Sequence, residues 1–500
     1  MYKPLATYRI QFTPWFDFDS LNEILEYLHD LGISDIYASP IFRPRQGSEH
    51  GYDVVDPASL NPELGSREDF DRLIEHLHSL GMGWIQDIVP NHMAFDSQNH
   101  MLMDVMENGR ESKYFDYFDI QLEHQYERVE GKLLTPFLGK FYGECLEDGE
   151  LKLNYDADGL SINYYDNRFP ISVDSYFDFF THHQDYLRET LGVNHPDYVK
   201  YLGVLYAIKS LSDTETTENR YEQIQFIKRM LWELYQDNKD IRKFVKSNIQ
   251  TFNGSVGTPS SFDLLHDLLQ RQHYRLAFWK VGTEEINYRR FFTVNDLISL
   301  RVDNEHVFED THSLTFELLN NGSFQGVRID HVDGLYDPNQ YLQRLRNRFP
   351  ESYIVVEKIL EQSEKIPDFW PIQGTTGYDF MNFVNGLFCR KRDRSQHDKI
   401  YRRFIRYRTP YSEMLQDKKR LIIGKHMAGD VDNLAHVLAM IAGQHRYGSD
   451  FTLYGLRRAL VEILTWFPVY RTYFNQYGSR DTDRSYIEET NLASKKEMPD

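Results

Sequence analysis

The first ninety residues of this 500-residue chain switch repeatedly between two hydrophobic periods, and that switching restricts the possible folds more than any other feature of the sequence. Residues 7–12 (TYRIQF) and 36–41 have the short β-rich composition of strands. Between them, Leu21, Ile24, Leu25, Leu28 and Leu31 recur at helical spacing on one face. The unit then repeats: Phe70, Leu73, Ile74, Leu77 and Leu80 define a second helix, and residues 84–89 a third strand ending in DIVPNH. Asp19 or Ser20 is expected to cap the first helix, and Gly32 and Gly81 to stop the two helices. Strand, helix, strand in strict alternation predicts parallel strands joined by helical crossovers.

Two later runs continue the pattern and carry chemistry. GVRIDHVDGL, from Gly326, puts Asp330 at the end of one strand, and YIVVEKIL, from Tyr353, puts Glu357 at the end of another. Functional side chains at the C-terminal ends of buried parallel strands suggest a (β/α) barrel. The two carboxylates lie 27 residues apart, one strand-helix-strand step, so they can occupy neighbouring strands. Retaining cleavage of a glycosidic bond needs such a pair, one ionised as nucleophile and one protonated as general acid. Arg328 shares a strand face with Asp330 and is expected to keep it ionised, leaving Glu357 as the carboxyl with a raised pKa.

Bulk properties narrow the partners. A formal charge of −20 opposes nucleic acid and anionic membrane surfaces, and no apolar run is long enough to span a bilayer. The N-terminus lacks the pattern of a secretory signal, which makes the cytoplasm the expected compartment. Cys145 and Cys389 are too few for a disulfide framework or a zinc site, and a two-carboxylate site needs neither metal nor cofactor. Aromatic residues make up 15% of the chain, enough to supply sugar-stacking faces beyond those the core needs.

Between His92 and Gly326 lie 233 residues, far too many for a barrel loop, so residues 93–325 are expected to be an inserted subdomain. Its first part carries short strand candidates and turn signals (GKFYGE, DADG, NRFP), and its later part is helical over 221–235 and 264–279. Residues 326–385 should continue the barrel, with a weak sixth strand at 376–380. Residues 386–500 read as helical, ending in a polar stretch with no packed element.

The motifs DIVPNH (Asp87, Asn91, His92), GVRID (Arg328, Asp330), the strand ending in Glu357, and HGYDVVD (His50, Tyr52, Asp56) occur in the order found in the α-amylase superfamily of glycoside hydrolases, which this chain resembles. Longer strings, including ASPIFRPRQGSEHGYDVVDPASLNPELG, QGTTGYDF and FPVYRTYF, look like a trehalose-forming branch of glucan isomerases within it. The resemblance implies a (β/α)8 TIM-type barrel with a large insertion after the third strand and added helices. It implies Asp330 as nucleophile and Glu357 as acid/base, Tyr52 stacking under the sugar, and His92 bonding a primary hydroxyl. The implied reaction is an intramolecular transglucosylation that turns the reducing-end α-1,4 linkage of a maltooligosaccharide into an α,α-1,1 linkage. A trehalose-releasing hydrolase acting on the product is the partner it implies. Beside the motifs, His331, Lys358 and Tyr378 are further candidates, as are Trp279, Asn287, Tyr288, Arg289 and Arg290 for the reducing-end subsite.

Departures from the pattern matter too. Where many amylases carry Lys and His after the nucleophile, this chain has Asp333 and Gly334. The superfamily's later His-Asp pair has no counterpart after Glu357; Asp430 and Asp432 in AGDVDN sit in a helical context. The expectation is therefore that the last two strands and the third acid are missing, as in a truncated chain, with weak activity unaided. An α-glucan hydrolase and an inactive glucan-binding fragment are the alternative readings.

Overall fold

In a computed structural model, which describes residues 2–124, 126–211, 217–361, 364–406, 409–475, 478 and 480–497, the alternating segments form one parallel sheet. Six strands lie side by side in chain order: Thr7–Ile10, Asp35–Ala38, Gly83–Ile88, Gly326–Ile329, Tyr353–Val356 and Gly374–Thr375. Helix Phe18–Asp30 links the first to the second, Arg67–Ser79 the second to the third, and Pro338–Arg348 the fourth to the fifth. The first helix is capped by Asp17, whose carboxylate accepts the Ser20 N–H, and not by Asp19 or Ser20. Starting there makes Phe18 the first helical residue and sends its ring fully into the core. Ser66 and Asp69 form a reciprocal capping box on the second helix. Gly32 and Gly81 end the two helices with positive φ, as their positions predict.

The core between helices and sheet is aromatic. Trp84 meets Phe70 at 5.6 Å and stacks on Phe324 at 6.4 Å, while Phe18 meets Phe70 at 5.4 Å. Gly326 opens the fourth strand because a Cβ there would come within 2.4 Å of the Tyr353 carbonyl oxygen on the next strand.

The chain divides into two structural units, one comprising residues 1–93, 291–293 and 300–500, the other 94–290 and 294–299. Residues 300–325, read above as part of the insertion, thus group with the sheet, as helices Glu305–Thr311 and Ser313–Asn320. The second unit holds an antiparallel sheet of Leu151–Asp156, Gly159–Tyr164 and Asn167–Pro170, with Leu133–Leu138 pairing in parallel with Tyr274–Phe278 elsewhere in the unit. DADG makes the turn of the hairpin, whereas NRFP is a strand and not a turn. The helix expected over 264–279 covers only Asp263–Gln270; YRLAF, rich in apolar and aromatic groups, pairs as a strand instead. Three longer helices follow the sheet: Pro196–Lys209, Thr217–Asp237 and Lys239–Phe252.

Two expectations near the C-terminal side also change. The sixth strand is Gly374–Thr375, not 376–380, because Gly377 at φ 105° and the Thr375 hydroxyl, which accepts the Gly377 N–H, start helix Tyr378–Leu387. The polar stretch expected to lack a packed element forms helix Asp481–Glu497, with Asp483 and Thr490 buried. Among the described residues no helix is long and apolar enough to cross a membrane. Cys145 is buried and Cys389 exposed.

Candidate active site

Register fixes the site. Asp87 pairs with Arg328 across the third and fourth strands, and Ile329 with Val356 across the fourth and fifth. Asp330 and Glu357 are each one residue further on, so they stand level on adjacent strand ends. The Glu357 N–H donates to the Ile329 carbonyl, and the Asp330 N–H to that of Ile88, both at 2.9 Å. Residues level on neighbouring parallel strands, and residues two apart on one strand, share a face. That rule puts Arg9, Tyr37, Asp87, Arg328, Asp330 and Glu357 on one side of the sheet.

Asp87 is the hub. Its carboxylate is fully buried and takes Arg328 at 2.7 Å on one oxygen. The other oxygen receives the Tyr52 hydroxyl at 2.6 Å, Arg9 at 3.1 Å and the Tyr37 hydroxyl at 3.3 Å. Arg9 also donates to the Tyr52 oxygen at 3.0 Å and lies over the Tyr37 ring. Burial, with the neighbouring Asp87 charge, pushes both phenols well above their ordinary range, so they act as donors. Arg9 and Tyr37 were not singled out from the sequence. The available signal was a guanidinium within the first strand, on the face that carries the site.

One guanidinium joins the two presumptive reactive carboxylates. Arg328 contacts Asp330 at 2.6 Å through Nη1 and Glu357 at 3.4 Å through Nη2. Burial lifts the Asp330 carboxyl to about 8 against the pull of Arg328, and the charges of Asp87 and Glu357 add to the rise. This differs from the sequence expectation that Arg328 keeps Asp330 ionised. The reason is arithmetic of charge in a desolvated place: three carboxylates (Asp87, Asp330, Glu357) face two guanidiniums (Arg9, Arg328). Such a cluster carries one excess negative charge and readily keeps one proton, which belongs to the coupled group and not to one residue. Glu357, whose side chain retains a quarter of its exposure, also accepts the His331 backbone N–H at 2.9 Å.

The loop after the fourth strand is shaped around that bond. His331 has left-handed backbone (φ 44°), and its ring packs on Phe291 at 4.8 Å and Phe292 at 5.0 Å. Phe291 in turn meets the ring of the buried His92 at 4.6 Å, and Asn91 lies 3.3 Å from His92 Nδ1. Gly334 is where this arrangement needs no side chain: a Cβ there would fall 2.1 Å from the His331 ring and 2.5 Å from the Asn91 side-chain oxygen. Asp333 is taken up structurally. It accepts Lys358 at 3.0 Å and the Tyr473 hydroxyl at 2.6 Å, while Arg471 donates to its carbonyl at 2.8 Å.

The remaining candidates divide. Tyr378, at the start of its helix, feels the charges of Glu357, Arg328 and Asp330, which places it beside the carboxylates. Lys358 does not join them as a substrate contact; it is wholly buried between Asp333 and Glu364, the latter at 2.7 Å. His50 is exposed and accepts the Tyr52 N–H at 3.1 Å. Asp56 is spent on its own turn, accepting Ala58 N–H at 3.0 Å and the Ser59 hydroxyl at 2.7 Å. In the second unit, Asn287 is buried and bonds three backbone groups, Tyr288 is buried, and Arg289 pairs with Asp119 at 2.7 Å, so these serve packing; Trp279 is half exposed. AGDVDN belongs to helix Ala428–Gly443, with Asp432 buried and paired to Arg457.

Strand-end carboxylates stand on a barrel-like parallel sheet, and the alpha-amylase catalytic domain family matches residues 13–156. The chain is similar to maltooligosyl trehalose synthases. It is 30% identical over 391 residues to the putative maltooligosyl trehalose synthase of Mycobacterium tuberculosis, covering 77% of this chain and 38% of the relative. The maltooligosyltrehalose synthase structure from Arthrobacter ramosus superposes with TM-score 0.71 at 28% identity, covering 99% of this chain and 51% of that one. The hypothetical maltooligosyl trehalose synthase of Sulfolobus tokodaii gives 0.68 at 31%, covering 100% and 52%. The chain therefore spans between two fifths and about half of the length of these relatives.

Proposed function

We propose that the chain carries the catalytic centre of an intramolecular transglucosylase, an isomerase that converts the reducing-end α-1,4 linkage of a maltooligosaccharide into an α,α-1,1 linkage. The observation that carries this reading is the single guanidinium of Arg328 held against both Asp330 and Glu357 on adjacent strand ends. In the working form the proton kept by the cluster sits on Glu357, and Asp330 is ionised beside Arg328. Asp330 attacks the anomeric carbon while Glu357 protonates the departing glycosidic oxygen. The freed glucose turns over and attacks through its own anomeric hydroxyl, with Glu357 now taking the proton. Two inversions preserve the α configuration. Tyr52, tied to Asp87 through its hydroxyl, offers its ring under the sugar, and the rim of His92, Phe291 and His331 limits water's access to the glycosyl intermediate.

In this reading the 94–290 unit is an insertion after the third strand of a (β/α)8-type barrel, residues 326–385 continue the barrel, and 386–500 add helices. The cytoplasm is the compartment assigned, and a trehalose-releasing hydrolase is the enzyme class that would consume the product. The test is incubation with maltopentaose: the proposal requires reducing ends to fall while total carbohydrate stays constant. A rise in reducing ends would mean an α-glucan hydrolase instead. A second reading, a glucan binder without turnover, is favoured by one observation: among the described residues no further carboxylate joins Asp87, Asp330 and Glu357 in the hydrogen-bonded cluster. It predicts maltopentaose binding that survives Asp330→Asn, with no product from either protein.

A further inference from the structure

The second unit contains a cavity of about 460 Å³ that plays no part in the site above. Three cations line it, Arg128, Lys132 and Arg275, and among the described residues no carboxylate does. In a chain of formal charge −20 that is a marked local reversal of sign. Glu285, outside the lining, pairs with Arg275 at 2.6 Å and so offsets one charge only. The Lys132 ammonium donates to the Gln270 carbonyl, and burial together with the Arg275 charge holds its pKa below the ordinary lysine value. Cations gathered at the cost of mutual repulsion leave a field that an anion would relieve.

The other walls are aromatic. Phe141 and Phe278 meet at 5.2 Å with their rings tilted by 55°, and Phe141 is 64% exposed. Tyr142 bonds His266 at 3.0 Å, which fixes a polar edge beside the rings. Aromatic faces with a few placed polar groups, in a volume within the usual range for small-molecule sites, suit a ring-bearing ligand and not a bare ion.

We propose that this cavity is a binding site for a phosphorylated monosaccharide, the phosphate meeting Lys132, Arg128 and Arg275 and the sugar ring packing against Phe141 and Phe278. The proposal does not depend on the reaction assigned to the strand-end carboxylates, because it is read by binding alone.

The test is calorimetric titration of the full chain with glucose 6-phosphate, inorganic phosphate and maltotriose. Saturable binding of glucose 6-phosphate is expected, weakened by added salt, and tighter than that of inorganic phosphate. Arg128→Ala and Lys132→Ala should each weaken it roughly tenfold, about 1.4 kcal/mol. Lys280→Ala, which removes a cation lying over Phe278 and Trp279 but outside the lining, should leave it unchanged. Saturating maltotriose should not displace it. Absence of binding, equal affinity for inorganic phosphate, displacement by maltotriose, or indifference to both alanine variants in proteins with unchanged circular dichroism would each overturn the proposal.

Discussion

Replacing Asp330 by Asn removes a group that burial makes costly to ionise, and the consequence is a stability difference that depends on pH. Burial pushes the carboxyl up to about 8 from an ordinary 3.8, within a cluster that shares the proton. A pKa raised by folding contributes stability that is fully present below the unfolded pKa and is lost as pH rises through the folded value. Between about pH 5 and pH 8 the wild type should therefore lose stability on this account, and Asp330→Asn should not. At about 1.4 kcal/mol per unit the ceiling over that window is roughly 4 kcal/mol. The proton is shared within the coupled cluster, and Arg328 keeps Asp87 in either protein, so the stability of Asp330→Asn minus that of the wild type should rise by about 2–3 kcal/mol over the window. Loss of the 2.6 Å bond to Arg328 adds an offset of its own that does not vary with pH. The assay is urea unfolding of both proteins at about pH 5, 6.5 and 8, comparing midpoints at equal slope. If the stability of Asp330→Asn minus that of the wild type stays flat or falls as pH rises, the charge count of three carboxylates against two guanidiniums is refuted.

Other substitutions test other parts of the site. Lys358→Met strands Asp333 and Glu364 without their shared buried cation and should cost about 3–5 kcal/mol by thermal or chemical unfolding; a loss under about 1 kcal/mol would contradict the pairing. Gly334→Ala drives a methyl group into the His331 ring and Asn91, so it should lower stability by about 1–3 kcal/mol and displace the backbone N–H that Glu357 accepts. The readout for that displacement is isomerisation of maltopentaose, which should fall at least as sharply as stability does. Tyr52→Phe keeps the ring but removes a donor to the buried Asp87, for about 1–2 kcal/mol; glucan affinity measured by titration should be largely retained, and its loss would mean that the hydroxyl, not the face, meets sugar.

What could be read from the sequence is what repeats along it. Periods of two and 3.6 gave the order of strands and helices, and the strand-end positions of Asp330 and Glu357 followed because parallel pairing keeps neighbours level. Short irregular pieces were misread where a single backbone feature outweighs composition. Gly377 at positive φ starts a helix where TGYDF looked like a strand, and YRLAF leaves its helix to pair with residues 133–138, a partner far away in sequence. Side-chain roles were legible only as far as type and face. Lys358 follows Glu357 directly and so reads as a further candidate beside it, but alternation turns it to the opposite side, where Asp333 and Glu364 bury it.

The position of the proton was the least legible part, and the reason bears on how such a site works. Sequence neighbours show Arg328 two residues from Asp330 and suggest a simple ion pair, in which the arginine decides. The fold brings a second claimant, Asp87, to the same guanidinium and a third, Glu357, within 3.4 Å of it, then removes most of the water. With Arg328 divided among three acids, desolvation outweighs attraction at Asp330, and the retained proton is shared across a cluster that the proposed double displacement would need in two different protonation states. Under the proposed reaction, a sugar oxygen arriving at the more exposed Glu357 would draw that proton outward and leave Asp330 charged against Arg328, so that substrate binding and activation of the nucleophile would be one event.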